Sequence, residues 1–217
     1  MYKTVVFDLD GTLLNTLTDL ADAGNRLCRK YGWPTHERQA YRYFVGNGIP
    51  KLVERLAPAD QRTPAVLEAA LADFKRDYGH HLRDTTAPYP GIPEMLAKLK
   101  ANGVQLAVFS NKADALAKEV VKDYFGTQYF TIVRGQMTGV APKPAAEGTN
   151  ALLQALHADP ASTLYVGDSN VDVETAHNAN LPCCGAVWGF RTREELNAAG
   201  AEYLAENSDE LYDVIMK

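Results

Sequence analysis

The chain has 217 residues, 46% of them apolar and 23% charged, enough for one α/β domain or for a core domain carrying a smaller insertion. A net charge of −5, with no long Lys/Arg cluster, argues against nucleic acid as a partner. No stretch approaches the roughly 20 apolar residues of a membrane span. The apolar run after Met1 stops at Asp8, which does not suit a signal peptide. Cys28, Cys183 and Cys184 fit neither a Cys-x-x-Cys metal pair nor a disulfide framework. A cytoplasmic location is expected.

Taken in chain order, the first β-like run is Lys3–Asp8, β-branched and cut off by Asp-Leu-Asp-Gly. From Thr16 to Leu82 no good strand follows. Leu17, Leu20, Ala21, Leu27 and Cys28, then Leu52, Val53 and Leu56, then Val66, Leu67, Ala70, Leu71 and Phe74 keep helical spacing. Breaks fall at Gly32-Trp-Pro34, Gly46-Asn-Gly48 and Pro58. Alternation then resumes. A helix over Ile92–Ala101 is stopped by Asn102-Gly103 and followed by a strand at Val104–Phe109, a helix near Ala113–Asp123 and a strand near Tyr129–Val133. Next come a helix near Ala145–Leu156, a strand at Thr163–Val166, a helix near Val171–Asn178 and a strand at Cys183–Val187. Helices at Arg193–Ala199 and Asp209–Met216 close the chain. Five strands in βα alternation predict an α/β, doubly wound parallel-sheet (Rossmann-like) core over 1–15 and 85–217, with an inserted α-helical cap domain over 16–84.

Three β-runs end in polar clusters: Asp8-Leu-Asp10-Gly11-Thr12, Ser110-Asn111-Lys112, and Gly167-Asp168-Ser169-Asn170-Val171-Asp172. In open parallel sheets, ligands bind beyond the carboxyl ends of the strands, where strand order reverses. Four aspartates gathered there repel one another unless a cation holds them, and oxygen-only ligands with phosphate chemistry point to Mg²⁺. Taken singly, each cluster has a plainer reading. Ser-Asn-Lys and Gly-Asp-Ser could each cap the following helix, and Lys143-Pro144 could be an ordinary turn.

In their order, these segments resemble the four motifs of the haloacid dehalogenase superfamily: Asp8–Thr12, Ser110-Asn111, Lys143-Pro144 and Gly167-Asp168…Asp172. The helical insert resembles that family's small cap. Gly46-Asn47-Gly48, Trp188–Arg191 and Gly200-Ala-Glu resemble its phosphoglycolate phosphatase branch. The resemblance implies a phosphatase acting on a small phosphorylated metabolite in two in-line steps. Asp8 would be the nucleophile, and Asp10 the acid for the leaving alkoxide and then the base for water. Lys143 would neutralise charge, and Ser110, with Asn111, Thr12 and Asn47, would contact substrate. Mg²⁺ would be held by Asp8, Asp168 and the Asp10 carbonyl, while Asp172 would orient Lys143 or metal-bound water.

A cap that excludes water would strengthen these interactions and set specificity, with Arg42, Asn47, Lys51, His80 and His81 as candidates. Where the branch often carries Asp-Ser, this chain has Asn15-Thr16, which bears on substrate and not on chemistry. A dehalogenase is disfavoured by Asp10, since a halide leaves without a proton. A sugar-phosphate phosphomutase, a pyrophosphatase or a nucleotidase shares the motifs. A non-enzymatic binding module stands further off, because a retired site has no reason to keep four acids together. Monomer and homodimer are both compatible with the sequence.

Overall fold

A computed structural model describes all 217 residues. The chain opens with β1 (Thr4–Phe7) and the two-residue strand β2 (Leu14–Asn15). It then runs through α1 (Leu17–Tyr31), α2 (Arg38–Phe44), α3 (Ile49–Leu56) and α4 (Pro64–His80). After β3 (Ala87–Pro88) come α5 (Ile92–Ala101), β4 (Gln105–Ala113), α6 (Asp114–Phe125), β5 (Phe130–Gln136) and α7 (Ala146–Leu156). The last part is β6 (Thr163–Gly167), α8 (Asn170–Asn178), β7 (Cys183–Ala186), α9 (Arg193–Ala199), β8 (Tyr203–Ala205) and α10 (Ser208–Met216). Met1–Asn15 with Pro88–Lys217 forms one compact unit and Thr16–Ala87 another. No helix is long and apolar enough to cross a membrane.

The larger unit is built on a six-stranded sheet of order β5-β4-β1-β6-β7-β8, with neighbouring strands parallel. The order reverses at β1, which pairs with β4 on one side and β6 on the other. Ala107, Val6, Tyr165 and Cys183 are register neighbours across four strands. They form one apolar row against Leu152, Leu153 and Leu156 of α7, Val173 and Ala176 of α8, and Leu196 of α9. Each buried Leu or Val of this layer stabilises the fold by about 1.5–3 kcal/mol. Val5, Phe7, Leu106, Val108, Leu164 and Val166 alternate with that row and are just as buried. Both faces are therefore covered, as a parallel sheet requires.

The sequence reading expects neither the two-residue strands β2 and β3 nor two further features. The sheet has a sixth strand, β8, at its edge beyond β7. Strand β4 also continues through Ser110, Asn111 and Lys112, so these residues extend the strand and do not cap the next helix. The N-cap of α6 is Ala113, with no side-chain cap bond.

In the smaller unit, most of the apolar stripes expected from spacing are buried: Leu20, Ala21, Leu27 and Cys28 of α1, Leu52, Val53 and Leu56 of α3, and Ala70 and Phe74 of α4. They are joined by Tyr78, which the spacing did not mark, while Leu17, Val66, Leu67 and Leu71 are only half-buried. Asp19, in the first turn of α1, is buried among them. Its carboxylate accepts from Thr85 N (2.9 Å) and Oγ1 (2.5 Å), and from Thr86 N (2.9 Å) and Oγ1 (2.7 Å). These bonds pin the returning chain to the first helix. Replacing Asp19 by Ala removes the shared acceptor of two backbone N–H groups and two hydroxyls at once. The expected cost is about 3 kcal/mol in urea unfolding, and a loss below about 0.5 kcal/mol would show that water takes over these partners.

Candidate active site

The reversal at β1 decides which side chains can meet. Asp8 directly follows β1, and its N–H donates to Val166 O of β6 at 2.8 Å, continuing the strand pairing. Asp168 directly follows β6. Gly11 bends the chain back at φ +90°, a conformation that favours glycine. A Cβ at Gly11 would lie 2.3 Å from Asp168 Oδ2, so the turn and the carboxylate need the same space. Thr12 Oγ1 donates to Asp168 Oδ1 (3.0 Å) and Phe190 N donates to Asp168 Oδ2 (2.8 Å), fixing both oxygens. Each still has a second lone pair to offer.

Lys143 reaches this group from the loop between β5 and α7, and its peptide bond to Pro144 is cis. Its ammonium is buried, 2.9 Å from Asp8 Oδ1 and 2.7 Å from Asp172 Oδ1. It also donates to Tyr165 Oη (3.3 Å) and Phe109 O (3.4 Å). Asn111 holds the lysine's backbone. Its Oδ1 accepts from Lys143 N (2.9 Å) and its Nδ2 donates to Lys143 O (3.3 Å). Asp172 Oδ2 is taken by Ser169 N (3.1 Å) and Ser169 Oγ (2.7 Å) at the start of α8. Asp172 thus completes a capping box with Ser169 through one oxygen and meets Lys143 with the other.

Asp8, Asp168 and Asp172 are buried with ligand atoms all within 4.8 Å of one another, and the Lys143 ammonium meets two of them, Asp8 and Asp172. Burial raises the Asp8 carboxyl most, Lys143 pulls it back, and Asp172 adds repulsion; the result is pushed up to about 7. Asp168 stands well above the ordinary range, first through burial and then through repulsion from Asp172 and Asp8. Burial alone would lower Lys143, but Asp172 and Asp8 outweigh it and hold the ammonium well above its usual value. Such a set of oxygens, short of positive charge, fits a hard divalent cation. Asp8, Asp168 and Asp172 are the carboxylates able to hold the cation, and Asp172 already has Lys143 on one oxygen and Ser169 on the other.

Not every residue from the sequence reading falls where it was expected. Asp8, Lys143, Asp168 and Asp172 come together as described, and Ser110 is buried beside them on β4 with its Oγ accepting from Lys112 N (3.3 Å). Thr12 was expected to contact substrate, but it is fully buried and its hydroxyl serves Asp168. Asn111, also expected at the substrate, spends its amide on the Lys143 backbone. Asn47 belongs to the smaller unit, where its Oδ1 accepts from Arg55 Nη2 at 2.8 Å. The sequence reading missed Tyr165 and the Phe190 N–H, and it placed Lys112 in a strand-end cluster without a role; the Lys112 ammonium lies 2.9 Å from Asp10 Oδ1 and 3.2 Å from Oδ2. Trp188, quoted there only as part of a resembling segment, donates its indole N–H to Thr12 O at 3.0 Å and so braces the turn.

Comparison with known proteins agrees with this geometry. The family model described as haloacid dehalogenase-like hydrolase matches residues 5–186. A phosphoglycolate phosphatase of Chromobacterium violaceum is 31% identical over 216 residues, covering 98% of this chain and 96% of that protein. Another from Vibrio parahaemolyticus is 29% identical over 221 residues, covering 98% and 96%. The crystal structure of a candidate phosphoglycolate phosphatase from Lactobacillus delbrueckii subsp. bulgaricus has a TM-score of 0.93 at 28% identity, covering 99% of this chain and 98% of that one. The chain belongs to the haloacid dehalogenase-like hydrolases, among their phosphatases.

Proposed function

We propose that the protein is a Mg²⁺-dependent phosphatase that hydrolyses a small phosphomonoester of the phosphoglycolate type through an aspartyl-phosphate on Asp8. The observation that carries this reading is the Lys143 ammonium, buried and 2.9 Å from Asp8 Oδ1, with the Asp168 carboxylate held in the same cluster. The substrate class rests on the relatives named phosphoglycolate phosphatase.

In the first step an Asp8 carboxylate oxygen attacks phosphorus. The new P–O bond forms as the ester P–O bond breaks, and Asp10 gives its proton to the departing alkoxide. In the second step Asp10 takes a proton from water, whose oxygen attacks the acyl-phosphate phosphorus, and inorganic phosphate leaves Asp8 free. Carboxylate and phosphate are both anionic, so charge neutralisation dominates the barrier. Lys143 supplies one positive charge at the attacking oxygen, and the Ser110 hydroxyl donates to a phosphoryl oxygen. Asp172 keeps the ammonium aimed, and Asn111 fixes the backbone that carries it. Asp8, Asp168 and the Asp10 carbonyl would hold Mg²⁺, which would supply the remaining positive charge that the phosphoryl group needs.

The reading is tested by phosphate release from a panel of small phosphomonoesters, pyrophosphate and nucleotides. Turnover is expected with Mg²⁺, best on 2-phosphoglycolate-like esters, and is expected to vanish with chelator or in Asp8→Asn. Turnover that survives Asp8→Asn would refute the nucleophile.

The pKa shift at Asp8 gives a second outcome. Its folded value of about 7 lies above the ordinary 3.8. In metal-free protein its contribution to stability is therefore complete below the unfolded value and is lost as pH rises through the folded one. A cation needs the ionised carboxylates. Mg²⁺ should raise the melting temperature more at about pH 8 than at about pH 5, and a larger rise at the lower pH would contradict the site.

A further inference from the structure

Lys112 is a buried cation that the chemistry above does not use. Three successive residues of β4, Ser110, Asn111 and Lys112, are all buried, although successive side chains of a regular strand point to opposite faces. The pairing of β4 with β5 shifts register between Phe109 and Ala113, an irregularity of the kind that re-aims side chains beside active sites. The neighbouring strand keeps this segment in place. Gly135 N donates to Asp114 Oδ1 at 3.0 Å, and a Cβ at Gly135 would come within 2.4 Å of Lys112 O. The backbone carrying Lys112 therefore lies closely against β5. The Lys112 side chain is 2% exposed and the Asp10 side chain 20%, and the ammonium reaches both carboxylate oxygens, at 2.9 and 3.2 Å.

We infer that Lys112 is a positioning residue for proton transfer: its buried ammonium holds the Asp10 carboxyl in the orientation that serves the leaving oxygen. The inference rests on the function proposed above. An ammonium has three donors and no acceptor, so it can hold Asp10 whether or not that carboxyl carries the proton. A carboxyl group on a short side chain at a turn otherwise rotates. General acid catalysis, worth about 10²–10⁴-fold, depends on its geometry. Lys143 and Lys112 then divide the work, the first serving the attacking carboxylate and the second the proton-transferring one.

The test compares leaving groups. An alkyl phosphate needs a proton on its departing oxygen, whereas p-nitrophenyl phosphate leaves as a stabilised anion. kcat/KM reports the phosphoryl-transfer step for both and is unaffected by later hydrolysis of the intermediate. Lys112→Met should lower kcat/KM on an alkyl ester by about 10²-fold or more and on p-nitrophenyl phosphate by less than about tenfold. In an Asp10→Asn background the same change should cost no more than about twofold, because the group it positions is already gone. Lys112→Gln, which keeps a donor, should recover part of the alkyl-ester rate, and it carries the comparison if the Met variant does not fold. Equal losses on both esters, no loss, or full additivity with Asp10→Asn would overturn the inference alone. Failure of the unmodified protein to release phosphate from either ester would instead bring down the proposed function, and this inference with it.

Discussion

The buried ammonium of Lys143, between Asp8 Oδ1 at 2.9 Å and Asp172 Oδ1 at 2.7 Å, is the contact on which the rest of the site depends. Three carboxylates this close cannot all ionise without compensation, and a buried charge left alone costs several kcal/mol. Much of the surrounding structure maintains that balance. Asn111 grips the lysine's backbone, Ser169 occupies the far oxygen of Asp172, and Thr12 with the Phe190 N–H orients Asp168. One cation against three anions still leaves a deficit of positive charge. The pKa shifts of Asp8 and Asp168 are the mark of that deficit.

The parallel sheet makes the gathering possible. Asp8 and Asp168 are 160 residues apart in sequence, but β1 and β6 are neighbours, so their strand ends coincide. Ser110 arrives on β4, the other neighbour of β1. The apolar row Ala107, Val6, Tyr165 and Cys183 sets the register that brings these ends level. Packing in the core and charge placement at the rim are thus two consequences of one strand order. Tyr165 joins them directly, lying in the apolar row while its hydroxyl meets the Lys143 ammonium.

The legible part of this arrangement was the part written in runs and punctuation. β-branched strands cut off by Asp-Leu-Asp-Gly or Gly-Asp-Ser announced both the sheet and the rim, and the helical spacings of α1, α3 and α4 announced their buried faces. Strand β8 was missed because three residues carry no usable period, and its Tyr203 is exposed at the edge. Lys112 was unreadable as a buried cation. Ser110-Asn111-Lys112 reads as a polar cluster at a strand end, and the burial of its lysine depends on a register shift between two strands that no local pattern reveals. The bonds of Thr12 to Asp168 and of Asn111 to the Lys143 backbone were not legible, since residue type does not say which neighbour a polar side chain braces. The Phe190 N–H could not have been found at all, because a backbone donor has no signature in the sequence.

The account stands or falls on Asp8 as the group that takes the phosphoryl. Protein turning over a small phosphomonoester with Mg²⁺, quenched in acid within milliseconds and digested, should yield a phosphorylated peptide. Mass spectrometry should place the modification on Asp8 and find none in Asp8→Asn. Phosphate on another residue, or turnover with no phosphorylated protein at any quench time when hydrolysis of the intermediate has been made the slow step, would contradict it.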